Sequence, residues 1–353
     1  MKKITLNDTY DFKDNSFSFI RLISALTVMS GHYFTYAGEA FELYPQYSIM
    51  EFDKVVPSIA IWLAGFIRGV PIFFAMSAFL ICASVERSKS VKEYMFKRFI
   101  RIYPELWMAV ILNAVIVFAI LGTPVIKGLA VWLFIQSFGV ALTPHTFDSF
   151  ATGSLNGAMW TIFVMIQSYV VLYFAYKYLK RLKTKGWIIL ISVFAAINMS
   201  FTYVQGVFEQ LASRTIIPYA LWFLLGAMLY IKRERAIPLL KKYFWVYSGI
   251  YIIFSLINTI KYLGIPGYYC SIIHGIFLPL ITVGFAYKFK NIKIKNDISY
   301  EIYLFHWIVI NLMVYFNVFS YVNWIICLVI YVLSVFAISY IANSINKIIL
   351  KHI

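Results

Sequence analysis

Four stretches of this sequence place polar or ionisable side chains at helical spacing inside otherwise apolar runs. In FIRLISALTVMSGHYF, Arg21 and His32 stand eleven residues apart. That is about three helical turns, so both project from one face, roughly 16 Å apart along the axis. Imidazole readily takes up a proton near neutral pH, so His32 is a candidate general base. In ISYEIYLFHWIVI, Ser299, Tyr303 and His306 share a face, with Tyr300 beside them. In VKEYMFKRFIRIYPELW, Arg98 and Arg101 fall at i and i+3. Two guanidiniums presented together suit phosphate oxygens. In SLNGAMWTIFVMIQSYVVLY, Asn156, Trp160, Gln167 and Tyr169 interrupt an apolar segment, and the mid-segment amide of Gln167 needs a partner.

Each group also has a plainer reading. Arg21 suits a boundary residue reaching towards water, the arginine pair an ordinary basic loop, and the tyrosines and Trp160 an interfacial aromatic belt. His145 and His274 lack such company and read as structural.

The elements that must position these groups are membrane helices. Of the 353 residues 62% are hydrophobic, 19% aromatic and 13% charged, with a mean hydropathy of +0.79. Soluble domains carry about 25% charged residues, and a soluble chain could not bury so much apolar surface. Disorder is excluded by the same composition. Eleven apolar segments lie near 17–37, 69–85, 106–122, 126–141, 157–176, 186–204, 214–231, 243–261, 271–287, 298–317 and 324–346. The N-terminal apolar run lacks a cleavage pattern and reads as a first membrane helix. Cys82, Cys270 and Cys327 are scattered in apolar stretches and read as small core residues, with neither a disulfide framework nor a metal site expected.

Thirty-one Lys and Arg against 15 Asp and Glu give a net charge of +16. Its placement points to topology rather than nucleic acid, because cytoplasmic loops concentrate Lys and Arg. Basic stretches run through 87–101, 177–185, 232–242 and 288–295 and into the C-terminal segment, whereas 38–57 is acidic and reads as external. Three crossings between Arg101 and Lys177 would put one basic loop outside. The segment 126–141, short and preceded by Gly122 and Pro124, is therefore expected to be re-entrant or partly inserted. This leaves ten crossings with both termini cytoplasmic. Pro104 is expected to end the helix bearing the arginines and begin the next span.

Taken in order, these stretches resemble the membrane-bound acyltransferase-3 family. The Arg-x10-His signature is met by Arg21 and His32, and the Gly-Val-x-Ile-Phe-Phe-x-x-Ser run by residues 69–77, ending at Ser77. Arg98, Arg101, Ile102 and Pro104 meet the Arg-x-x-Arg-Ile-x-Pro run. Residues 298–307 meet Ile-Ser-Tyr-x-Ile-Tyr-Leu-x-His-Trp, and Phe-Leu-Leu-Gly-Ala at 223–227 fits as well. The resemblance implies an all-α bundle of about ten spans plus one partly inserted helix, a single unit over 1–353 without an extramembrane catalytic domain. It implies an O-acyltransferase of a bacterial inner membrane that moves an acyl group, most often acetyl, from cytoplasmic acyl-CoA to a hydroxyl of an exported glycan or glycolipid. No metal is implied, and self-association is compatible with it. His32 and Arg21 would be catalytic. Arg98, Arg101 and Ser77 would bind acyl-CoA, and Trp160, Tyr169, Ser299, Tyr300, Tyr303 and His306 would line or support the path.

Two positions depart from the family pattern, the smaller departure being Ala78 where relatives commonly carry Gly after the Ser. Where relatives carry Glu in Trp-Ser-Leu-x-x-Glu-x-x-x-Tyr, this chain has Met165, between Trp160 and Tyr169. Two alternatives therefore stand beside catalysis: a glycan-lipid flippase using the same buried polar groups as a path, and an acyltransferase homologue with impaired chemistry.

Overall fold

The computed structural model describes residues 14–41, 65–261, 264–289, 292 and 294–352. Among them the regular structure is helical, with no strand. All eleven apolar segments carry helices. These are α1 (Phe17–Ala40), α2 (Gly69–Arg87), α3 (Val91–Leu121), α4 (Ile126–Ser137), α5 (Trp160–Leu179), α6 (Thr184–Ser200), α8 (Ala220–Ile231), α10 (Phe244–Lys261), α11 (Ile272–Lys288), α12 (Ser299–Tyr315) and α13 (Trp324–Leu350). Two further helices are α7 (Gly206–Ala212) and α9 (Arg233–Lys242). Residues 42–57 of the acidic stretch, together with Lys290 and Lys293, lie outside the described residues.

Among the described residues, α2, α3, α5, α6 and α13 are long and apolar enough to cross a membrane, and α7 with α8, bent by 68°, would make a sixth such span. Helices α10 and α11 are apolar but shorter. The bundle has a centre and a periphery. In its most apolar window α2 is 72% buried within the protein, α6 only 11%. Between membrane helices association depends on close packing of small residues. Gly226 of α8 shows this: a Cβ there would lie 2.1 Å from the Ala75 carbonyl oxygen of α2.

Helix α4 behaves as its composition suggests. Its 12 residues reach about 18 Å, well short of a bilayer core of about 30 Å. Its far end meets the middle of α3, where Trp107 Nε1 donates to the Ser137 carbonyl (3.0 Å). The chain turns at Gly139 against Leu106, Ile162 and Ile166, and the returning segment brings Thr146 and Phe147 back beside Gly128 near the start of α4. The segment is thus a helical hairpin packed against α3 and α5.

Two expectations need correction. Pro104 does not divide two helices: α3 runs unbroken through it from Val91 to Leu121. A proline removes one N–H from the ladder, a loss that packed helices in a membrane bundle tolerate. Here Tyr300 of α12 packs at this point and donates its hydroxyl to the Ile102 carbonyl (3.3 Å). The start of α3 is fixed by Ser90, which accepts from the Glu93 N–H (3.1 Å). The basic stretch 232–242 is likewise not a plain loop but α9, whose Ile237 and Leu240 are buried while its Lys and Arg residues face outward or sit at the boundary.

Candidate functional site

Three arginines from two helices converge on one cavity of about 130 Å³. Arg21 comes from α1, and Arg98 and Arg101 from the first turns of α3. Ser77, Tyr169, Tyr300 and Tyr303 line the same space, as does Met165. The rest of the wall is apolar, from Val70, Phe73 and Phe74 of α2 and Ile162 of α5. The continuity of α3 through Pro104 is what holds the arginine pair rigidly against the bundle.

Each arginine is held differently. Arg21 pairs with Asp297, each about one-fifth exposed. Asp297 is itself fixed by Ser299, whose hydroxyl (2.5 Å) and backbone N–H (3.1 Å) both donate to its Oδ1. The start of α12 thus anchors the inner end of α1. Arg98 lies over two aromatic rings, 5.6 Å from the Tyr94 centroid and 5.5 Å from that of Tyr169. Its Nε is buried and makes no hydrogen bond among the described residues. The structure therefore keeps an oriented, positively charged donor beside the cavity. On the next turn of α3, Glu105 lies near Glu301, and the two buried carboxyls accept from Asn346 and Asn343 of α13 respectively.

His32 stands outside that cavity, paired with the second histidine of the sequence analysis. His32 Nδ1 lies 2.8 Å from His306 Nε2, and the two rings are nearly parallel. His306 Nδ1 lies 3.0 Å from the Ile302 carbonyl oxygen. This chain of contacts fixes the tautomers of a neutral pair. A carbonyl can only accept, so His306 carries its proton on Nδ1 and presents a lone pair at Nε2. His32 must then donate from Nδ1, which leaves the lone pair on His32 Nε2. The dyad thus presents one imidazole nitrogen in the form a general base requires.

Two aromatic rings tie the dyad to its surroundings. Tyr303, which lines the arginine cavity, sits 5.9 Å from the His306 ring and hydrogen-bonds to Thr161 (2.5 Å) and the Ala158 carbonyl (2.9 Å) of the α5 entrance. Trp307 stands edge-on to His32 at 4.7 Å.

The structure thus gathers Arg21, Ser77, Arg98, Arg101, Tyr169, Tyr300 and Tyr303 around one cavity. His32 and His306 form a separate pair beside it. Ser299 supports Asp297 rather than lining a space, and Trp160 faces a second cavity on the other side of α5. Gln167 finds its partners at the bend before α8: its amide donates to the Arg214 carbonyl (2.7 Å) and accepts from the Ile216 N–H (3.0 Å). His274 is buried against the Ser271 hydroxyl (2.6 Å), and His145 is exposed beside Asp148. All three cysteines are free and buried.

Sequence reasoning missed Asp297, Thr161 and the Glu105–Glu301 pair. Asp297 had a signal, since Asp-x-Ser ahead of an apolar run is a helix start. Glu105 and Glu301 were carboxyls inside apolar runs, which by itself marks a polar partner. Thr161 carried no signal.

A family model described as an acyltransferase domain matches residues 14–344. The chain is 24% identical over 327 residues to nodulation protein 10 of Rhizobium leguminosarum bv. viciae, covering 85% of this chain and 84% of that protein. It is 27% identical over 196 residues to an O-acetyl transferase of Shigella phage Sf6. That match spans 53% of each chain, about half the length of the phage protein. No solved structure matches.

Proposed function

We propose that this chain, which belongs to the acyltransferase-3 family, is an integral-membrane O-acyltransferase. It moves an acyl group, most simply acetyl, from cytoplasmic acyl-CoA to a hydroxyl of an exported glycan. The observation that carries the reading is the convergence of Arg21, Arg98 and Arg101 on one cavity, with Arg98 Nε held unpartnered beside it. Charge-assisted hydrogen bonds from guanidinium groups suit the phosphates of coenzyme A. The cavity lies at the ends of α1 and α3 nearest the basic stretches, which the positive-inside rule assigns to the cytoplasm.

In this reading Arg98 and Arg101 hold the donor's phosphates, and Arg21, fixed by Asp297, orients a polar group of its arm. The arm has to bridge about 16 Å along α1 to bring the thioester to His32. His32 Nε2 takes the proton of the acceptor hydroxyl as that oxygen bonds to the thioester carbonyl carbon. The C–S bond breaks, and His32 returns the proton to the departing sulfur, so ester and thiol form with no net change in protons. His306 acts as a positioning residue that keeps His32 in the working tautomer. The tyrosines at 169, 300 and 303 and the Ser77 hydroxyl supply the polar wall. The arrangement of ten crossings, both termini in the cytoplasm and a bacterial inner membrane as the site of action belong to the same proposal, as does a purely organic mechanism without metal.

Coenzyme A binding tests the reading. A ligand that binds only the folded state at one hundred times its Kd adds about 2.7 kcal/mol of stability. Coenzyme A should therefore raise the unfolding temperature of the purified protein, and Arg98→Ala with Arg101→Ala should remove that rise. The same thermal shift in wild type and double variant, or no shift in either, would overturn the assignment.

A further inference from the structure

A second cavity of about 610 Å³ opens on the opposite face of the α5 entrance. This volume falls in the range of roughly 300–1,000 Å³ typical of small-molecule sites. Its walls come from the starts of α5 and α8, the loop before α11 and the α4 hairpin. The opposite ends of α5, α8 and α11 carry Lys177, Lys232 and Lys288. The cavity therefore faces away from the basic side of the bundle.

The chemistry of this wall differs from that of the arginine cavity. Trp160, Tyr219, Tyr268 and Tyr269 present aromatic surface beside the hydroxyls of Thr143 and Ser154, while the buried amides of Gln136 and Asn156 are bonded to Met159, Leu304 and Ala158. Trp160 and Tyr219 pack at 5.1 Å, and Trp160 and Tyr269 at 5.7 Å. Aromatic faces beside hydroxyls and a guanidinium suit a pyranose, whose C–H face packs on a ring while its hydroxyls seek hydrogen bonds. A neighbouring hollow of about 400 Å³ shares Tyr268 and Tyr269, which extends the surface beyond one sugar unit.

Arg214 is the one charged side chain lining the larger cavity, and among the described residues it makes no ion pair. The nearby carboxylate of Glu209 is taken by the Tyr268 hydroxyl. The cavity is linked to the dyad through Trp307. Ser154, in its wall, accepts through its carbonyl from Trp307 Nε1 (3.1 Å), and the Trp307 ring abuts His32. Gly157 makes this contact possible, because a Cβ there would lie 2.5 Å from the Trp307 ring.

We propose that this outer cavity is the acceptor subsite and that Arg214 selects an acidic glycan, one bearing a carboxylate or phosphate near the hydroxyl to be acylated. The inference rests on the acyltransferase reading for what happens next, but the recognition itself is independent of it.

The test is binding of short oligosaccharides to the full chain in nanodiscs, followed by tryptophan fluorescence. The panel pairs oligogalacturonate with its methyl ester, and a phosphorylated oligosaccharide with its dephosphorylated form. At least one acidic member should bind the wild type about tenfold or more tightly than its neutral counterpart, the order a charge-assisted hydrogen bond supplies. Arg214→Gln should erase that preference while coenzyme A still stabilises the variant as it does the wild type. No preference in the wild type, or a preference that survives Arg214→Gln, would overturn the proposal. If the acidic preference is present but coenzyme A has no effect, the acyltransferase reading fails and the acidic site stands.

Discussion

The two cavities flank the same turn of α5, yet they are made of opposite materials. Thr161 and Ile162 face a small inner space ringed by three arginines, and Trp160 faces a larger outer space ringed by aromatic rings and amides. In the proposed reading one side takes a compact polyanion and the other a broad, hydroxylated surface. The histidine dyad stands between them, tied to the inner cavity by Tyr303 and to the outer by Trp307. The difference teaches that donor and acceptor need not share a pocket. Each can arrive from its own side and meet at one imidazole.

The sharpest way to break this comparison is at the shared point. His32→Ala should lower acetyl transfer by about 10²–10⁴-fold, the usual worth of a general base, while coenzyme A binding persists. Transfer assays and thermal shift on the same preparation check both halves. Next in size, Arg98→Ala should raise KM for acetyl-CoA by about 10–100-fold with little change in kcat, because charge-assisted hydrogen bonds to phosphate are lost. Arg98→Lys should recover only part of this, since it keeps the charge but not the planar fork.

His306 sharpens the tautomer argument. His306→Ala should lower kcat by roughly 10²-fold by releasing the His32 ring, with KM for acetyl-CoA unchanged. His306→Gln, whose side-chain oxygen can still accept from His32 Nδ1, should retain several times more activity than the alanine variant. Equal loss in both would place His306 in simple packing. The smallest effect belongs to Asp297→Asn, which frees Arg21 from a pair about one-fifth exposed. A partly solvated pair contributes about 1 kcal/mol or less, so steady-state kinetics should show a loss within about fivefold.

Much of this was legible in the sequence, and what was not has a common cause. Periodicity placed helices on all eleven apolar segments, and charge parity singled out α4, which is short and is followed by a turn at Gly139. Spacing also put Arg21 with His32 on one face, and Ser299, Tyr303 and His306 on another. What spacing lacks is partners. Arg21 turns to Asp297 and His32 to His306, so two residues of one face serve two different places. Ser299 supports a carboxylate while Tyr303, a turn along, lines a cavity. Proline chemistry suggested a break at Pro104, but α3 runs on through it, with the Tyr300 hydroxyl bonded to the neighbouring Ile102 carbonyl. The outer cavity was invisible for the same reason, because its rings come from three separate segments, around Trp160, Tyr219 and Tyr268, that only tertiary packing brings together.

The central claim is that His32 moves the proton for transfer from a donor held by Arg98 and Arg101. The most direct measurement uses proteoliposomes with radiolabelled acetyl-CoA supplied on the Arg98 side and extracted glycan on the other, counting label in the glycan. Label should accumulate with the wild type and fall to background with His32→Ala, although that variant still binds coenzyme A. Label transferred by His32→Ala at the wild-type rate would contradict the account.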